Sequence, residues 1–121
     1  MTFPTITFKH TNVAVDHQLQ TLITGKLSSL DKYLTHAQTL RCEVEIERIA
    51  SHQSGPICRL EANIWRSGKL YRADAVEETF EKAIDEVRRD LERDLERDHG
   101  KRLSVFRRGA RQIKAMMRWG R

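Results

Sequence analysis

Polar and apolar residues change rhythm several times along this 121-residue chain, and each change marks an element. Residues 5–8 (TITF) alternate, the pattern of a half-buried strand with Ile6 and Phe8 inward. Asp16 then stands where a helix N-cap would. Leu19, Leu22, Ile23, Leu27, Leu30 and Leu34 follow at steps of three and four, so one helical face is apolar. Gly25 lies inside that pattern at a cost of about 1 kcal/mol relative to Ala; the periodicity predicts a helix to about residue 33 or 34. From 40 to 47 the period shortens to two. Leu40, Cys42, Val44 and Ile46 share one face of a strand, and Arg41, Glu43, Glu45 and Glu47 the other.

Residues 49–56 hold Ser51, Ser54, Gly55 and Pro56 and predict a loop. A second alternating run puts Cys58, Leu60, Ala62 and Ile64 inward and Arg59, Glu61, Asn63 and Trp65 outward. Ser67-Gly68 reads as a tight turn into a third, short strand over 69–74. The last periodic segment is helical, from about 77 to 98. Phe80, Ile84, Val87, Leu91 and Leu95 form its apolar stripe, Glu77 and Glu78 suit its positive end, and His99-Gly100 reads as its stop. The order predicts an α+β fold, a two-layer β-α-β-β-β-α sandwich. It has a four-stranded sheet with two helices on one face and a polar opposite face.

Charge divides the chain in two. Residues 101–121 contain eight Lys or Arg and no Asp or Glu, whereas the first hundred carry 14 basic and 17 acidic residues, a net −3. The expected organisation is a domain over 1–100 and a basic, flexible C-terminal arm over 101–121. A cationic arm fits a polyanion, either nucleic acid or an anionic membrane surface. Within it Leu103, Phe106, Ala110, Ile113 and Met117 make a heptad-like stripe, while Arg107, Arg108, Arg111, Lys114 and Arg118 mostly fall off it. Such a segment is expected to be disordered or partly helical until it meets a partner. Trp119 could stack on a base or pack on the domain.

The residues give little sign of catalysis. His10, His17, His36, His52 and His99 have no metal-ligand spacing, and neither a phosphate-cradling glycine loop nor a nucleophile motif is present. Cys42 and Cys58 read as reduced core thiols of a cytoplasmic protein. No stretch approaches the roughly 20 apolar residues of a membrane span, and the N-terminus lacks a secretory pattern. A non-enzyme without cofactor, metal or small-molecule substrate is expected. The positive signal lies on the second helix, whose solvent side should carry Lys82, Arg88, Arg89, Arg93 and Arg97. Arg89, Arg93 and Arg97, at i, i+4 and i+8, form a ridge about 12 Å long at 1.5 Å per residue. The alternative is an intrahelical salt-bridge lattice, with Asp85–Arg89 as one well-oriented pair.

With these elements placed, residues 5–99 resemble the short ribosome hibernation factors, also called ribosome-associated translation inhibitors or hibernation-promoting factors. The most specific strings are TITFKHTNVAVDHQLQTLITGKLSSLDKYL, the Gly68-Lys-Leu-Tyr-Arg-Ala73 turn and strand, Ala83-Ile84-Asp85, and Leu91-Glu-Arg-Asp-Leu95. The resemblance implies the same β-α-β-β-β-α fold. It also implies binding to the small subunit of idle bacterial ribosomes in the mRNA/tRNA channel, inhibition of translation, and protection under stress. Family positions that contact rRNA backbone correspond to Lys26, Lys32, Arg93 and Arg97. With the charge pattern, the candidate rRNA-binding set is Lys26, Lys32, Lys82, Arg88, Arg89, Arg93, Arg97, Lys101, Arg102, Arg107, Arg108 and Arg111. Ser29 and Asp90 stand where many members have lysine, and Phe80-Glu81-Lys82 replaces a Tyr-containing stretch. Long members carry a second domain that pairs ribosomes; the arm is too short for one. Another hibernation factor is a further candidate partner. A membrane-surface or protein-binding adaptor using the arm is the competing reading.

Overall fold

In the computed structural model the chain is described over residues 3–35, 37–49 and 57–119, with 101–119 described by backbone alone. The elements run β1 (Ile6–Thr11), α1 (His17–Ser28), a 3₁₀ turn (Asp31–Tyr33), β2 (Leu40–Arg48), β3 (Cys58–Arg66), β4 (Lys69–Glu77) and α2 (Phe80–Trp119). The expected loop over 49–56 lies outside the described residues from 50 onward. So do His36 and His52.

The sheet order is β1-β2-β3-β4. β1 runs parallel to β2, with α1 in the crossover between them, and the other two pairings are antiparallel. The alternation along β2 and β3 does what its period requires. Cys42, Val44, Ile46, Leu60, Ala62 and Ile64 are fully or almost fully buried, and both helices cover that face through Ile23, Leu27, Ala83, Ile84, Val87, Leu91 and Leu95. Among the described side chains, every member of this core precedes Gly100. A chain ending there keeps all of this described apolar core, whose burial drives folding.

Local chemistry sets the element ends. The Asp16 carboxylate accepts from the Leu19 amide at 2.8 Å, an N-cap worth about 1 kcal/mol. α1 ends sooner than its periodicity predicts. Ser28 and Ser29 donate their hydroxyls back to the carbonyls of Gly25 and Lys26, and the Leu30 amide turns to Leu27, so the chain tightens into 3₁₀ geometry. Leu30 and Leu34 are nevertheless buried, delivered by that turn. Ser67 and Gly68 both have positive φ, 50° and 87°, as a two-residue I′ hairpin between paired Arg66 and Lys69 requires.

β4 is longer than expected and absorbs Glu77. The helix begins after Thr79, whose hydroxyl accepts from the Lys82 amide at 3.1 Å. At its other end α2 does not stop at His99-Gly100; its backbone stays helical to Trp119. Glycine in a helix interior costs about 1 kcal/mol but retains its N–H, so it weakens a helix without breaking it.

On the open sheet face, Glu45, Glu61 and Asp74 stand opposite one another across β2, β3 and β4. Three carboxylates in a row would repel. Arg59 resolves this by reaching Glu61 at 2.6 Å and Asp74 at 3.6 Å, and Arg72 reaches Glu61 at 3.1 Å. Asn63, expected to face solvent, is held almost buried between Glu61 and Arg72. The Arg59 hydrogen bond holds the Glu61 carboxyl below its ordinary pKa. A carboxyl whose folded pKa is depressed contributes stability above its unfolded pKa and loses it as pH falls through the folded value. Denaturant titrations should therefore show acid destabilisation that is smaller in Glu61→Gln than in the parent.

Both cysteines are buried free thiols, as their inward positions in the two alternating runs predict. Burial, helped by Glu43, pushes the Cys42 thiol up to about 12. The thiolate is the nucleophile, so Cys42 should escape alkylation in the native protein and react once unfolded, read by peptide mass spectrometry.

Candidate nucleic-acid interface

The candidate cations of the folded domain fall into two groups. Lys26 and Arg88 lie between the helices. Lys26 Nζ is 2.8 Å from Asp85 Oδ1, and Arg88 Nε donates to Ser29 Oγ at 2.7 Å while its Nη2 reaches Glu92 at 3.1 Å. The sequence pattern puts Arg88 on the solvent side of the helix; instead its side chain is only 27% exposed and clamps α2 to α1. Asp85 likewise pairs across to Lys26 rather than with Arg89 along the helix. Ser29, at a position where many members of the resembled family carry lysine, is the acceptor that seats Arg88.

Lys82, Arg89, Arg93 and Arg97 are exposed on α2, and Lys32 is exposed on the 3₁₀ turn. Arg93 pairs with Asp90 at 3.1 Å and Arg97 with Asp94 at 3.2 Å, each within one helical turn, and Lys82 lies 3.7 Å from Glu78. The side chains of Arg93 and Arg97 remain 71% and 60% exposed. Exposed pairs of this kind contribute about 0–1 kcal/mol. Exchanging the carboxylate for a phosphate therefore costs little. Lys32 sits 5.1 Å over the Tyr33 ring.

The domain's helix cations are thus largely compensated by their own neighbours. Arg93 and Arg97 belong to both the salt-bridge lattice and the cationic ridge. What is uncompensated in the sequence is the segment after Gly100, and α2 carries its backbone directly onward from Arg93 and Arg97. The side chains of Lys101, Arg102, Arg107, Arg108 and Arg111 lie outside the described residues. Exposed Arg93 and Arg97 and this segment share one helix, a rod about 60 Å long for 40 residues.

Sequence reasoning missed the partners at the base of this rod. Asp98 accepts from the Tyr71 hydroxyl at 2.7 Å and pairs with the Lys69 ammonium, and the His99 ring meets Tyr33 edge-on at 6.1 Å. These pairs bridge 27 to 29 residues or more of sequence, and no periodicity signals them. Among the described residues no cluster of His, Cys, Asp and Glu could hold a metal, and no helix is long and apolar enough to cross a membrane.

This arrangement has relatives. Among solved structures, the chain is similar to the N-terminal domain of Thermus thermophilus Protein Y, with 22% identity over 76% of this chain and 96% of that one, at a TM-score of 0.64. It is also similar to a ribosomal subunit interface protein from Coxiella burnetii, with 17% identity over 78% of this chain and 97% of that one, at a TM-score of 0.56. Likeness at these identities establishes the shared fold. No curated protein matches the chain. Residues 5–103 match the family described as sigma 54 modulation protein / S30EA ribosomal protein, and the chain, sheet and helices together, belongs to that ribosome-associated, non-enzymatic family.

Proposed function

We propose that this protein is a ribosome hibernation factor. It binds the small ribosomal subunit in the mRNA/tRNA channel of idle bacterial ribosomes, inhibits translation by occupancy, and protects the particle under stress. The observation that carries this reading is the family match together with the exposed Arg89, Arg93 and Arg97 on the helix that continues into the acid-free basic segment. Lys32, Lys82, Arg89, Arg93 and Arg97 meet rRNA phosphates, joined by Lys101, Arg102, Arg107, Arg108 and Arg111. Lys26 and Arg88 hold the two helices at the spacing those contacts need. Phosphate contacts position a protein without reading sequence, so the address is ribosomal shape. The working compartment is the cytoplasm, and 1–100 acts as the binding domain with 101–121 as its cationic extension.

Sucrose-gradient sedimentation with purified ribosomes tests the reading. The protein should travel with the small subunit and with whole ribosomes and be released as salt rises. Retention that does not fall with salt would count against phosphate contacts. The same gradients show whether ribosomes pair, alone or with another hibernation factor. The stripe of Leu103, Phe106, Ala110, Ile113 and Met117 on a helical backbone favours a second reading, a membrane-surface adaptor. Flotation with anionic vesicles, in the absence of ribosome binding, would favour it instead.

A further inference from the structure

α2 outlasts the layer it packs on. It runs back along β4 and at Asp98 has come level with Lys69, the first residue of that strand. The backbone then remains helical to Trp119, about 30 Å further at 1.5 Å per residue. A rod that leaves a domain acts as a lever. A tilt of about 10° at its base moves a point about 30 Å away by about 5 Å, comparable to the spacing of neighbouring phosphates.

The base of the lever is held on two sides by consecutive residues. On the sheet side, the Asp98 carboxylate accepts from Tyr71 Oη at 2.7 Å and pairs with the ammonium of Lys69, which itself lies 5.0 Å over the Tyr71 ring. The Asp98 side chain is 13% exposed and Tyr71 is buried, so their hydrogen bond is partly shielded from water, while Lys69 is 57% exposed. Burial and Asp98 raise the Tyr71 pKa, which keeps the hydroxyl a donor. On the other side, His99 packs edge-on against Tyr33 of the 3₁₀ turn. Gly100, the most deformable residue type in a helix, comes next. The grip therefore lies immediately ahead of the point where the helix would otherwise bend.

We propose that Asp98 and Tyr71 are positioning residues for polyanion binding. They aim the helix beyond Gly100 so that its cations meet the same rRNA surface as Arg93 and Arg97. Neither residue touches RNA; each acts through the direction of the rod. The inference rests on the rRNA-binding reading above, and its test separates the two.

Affinity for purified small subunits is measured over a range of salt for the intact chain and for a chain ending at Gly100, each with Asp98→Asn or Tyr71→Phe. In the intact chain either substitution should weaken binding about tenfold and reduce the log–log salt slope by about 1 to 2, the loss of one or two phosphate contacts. In the shorter chain both should leave affinity unchanged. Equal losses in the two lengths would mean that the residues only hold the domain together, and no loss in either would mean that they do not aim the rod; both results overturn the proposal. If neither unsubstituted chain binds subunits, it is the rRNA reading that fails. The grip is then read alone by electron–electron distances between spin labels at Thr7→Cys and Ser104→Cys. Those distances should be narrowly distributed in the parent and broadened by Asp98→Asn or Tyr71→Phe, and an unchanged distribution would overturn the proposal without reference to ribosomes.

Discussion

Ending the chain at Gly100 is expected to collapse the salt dependence of ribosome binding while leaving a folded domain that still associates weakly at low salt. The truncation removes eight cations and no carboxylate, and turns a chain of net +5 into one of −3. Each phosphate neutralised contributes about 0.7 to 0.9 to the slope of log K against log salt, so the slope should fall by up to about 7. The remaining domain starts from compensated charges: Arg93, Arg97 and Lys82 must each exchange a carboxylate for a phosphate. Its binding should therefore be weaker by orders of magnitude at moderate salt, yet still selective for ribosomes, because the shape of the domain is intact. Absence of any association at low salt would show instead that the segment after Gly100 is the whole binding element. A 121-residue chain with Lys101, Arg102, Arg107, Arg108 and Arg111 changed to Gln keeps Lys114, Arg118 and Arg121; its slope should fall by up to about 4, a loss that chain length cannot explain.

The largest expected effect on stability comes from Leu91→Ala. Leu91 is fully buried on α2 within the core cluster, between the helix layer and the sheet. Removing a buried leucine side chain costs the transfer free energy of the lost groups and leaves a cavity, together about 2–5 kcal/mol. Domains of this size have only about 5–15 kcal/mol to lose. Urea titration should show a lower midpoint with an unchanged slope. Because α2 also carries Arg89, Arg93 and Arg97, loosening it should weaken subunit binding near the unfolding transition, where the parent is unaffected. Leu70→Ala is the comparison. Leu70 is 40% exposed on β4, and such a substitution should stay within about 0.5 kcal/mol of the parent.

Much of the fold could be read in the residues because its signals are local. A period of two in Leu40–Ile46 and in Cys58–Ile64, and a period of 3.6 in Ile84–Leu95, each follow from backbone geometry within one element. The inward faces they predict are the buried ones. Asp16 as a cap and Ser67-Gly68 as a turn are equally local. The expected ends were less accurate. The α1 terminus depends on two serines competing for carbonyls, and the continuation of α2 past His99-Gly100 runs beyond a residue type that weakens helices without ending them.

The candidate interface was legible only as a list of cations. Their sequence spacing placed Arg89, Arg93 and Arg97 on one exposed face of α2, since i, i+4 and i+8 are fixed by the helix. It could not sort clamp from ridge. Arg88 meets Ser29 from 59 residues away, and Lys26 finds Asp85 on the other helix. Asp98 finds Tyr71 and Lys69 on the far strand. Such pairs exist only once the two helices are laid on the sheet, because the distances that decide them are set by packing between elements and not by any period within one. By itself, the sequence determined the elements, their inward faces and the separation of a mildly acidic domain from a basic end. Tertiary structure decided the parallel pairing of β1 with β2, which arginine is a clamp, which carboxylates compensate the ridge, and where the long helix is held before it leaves the domain.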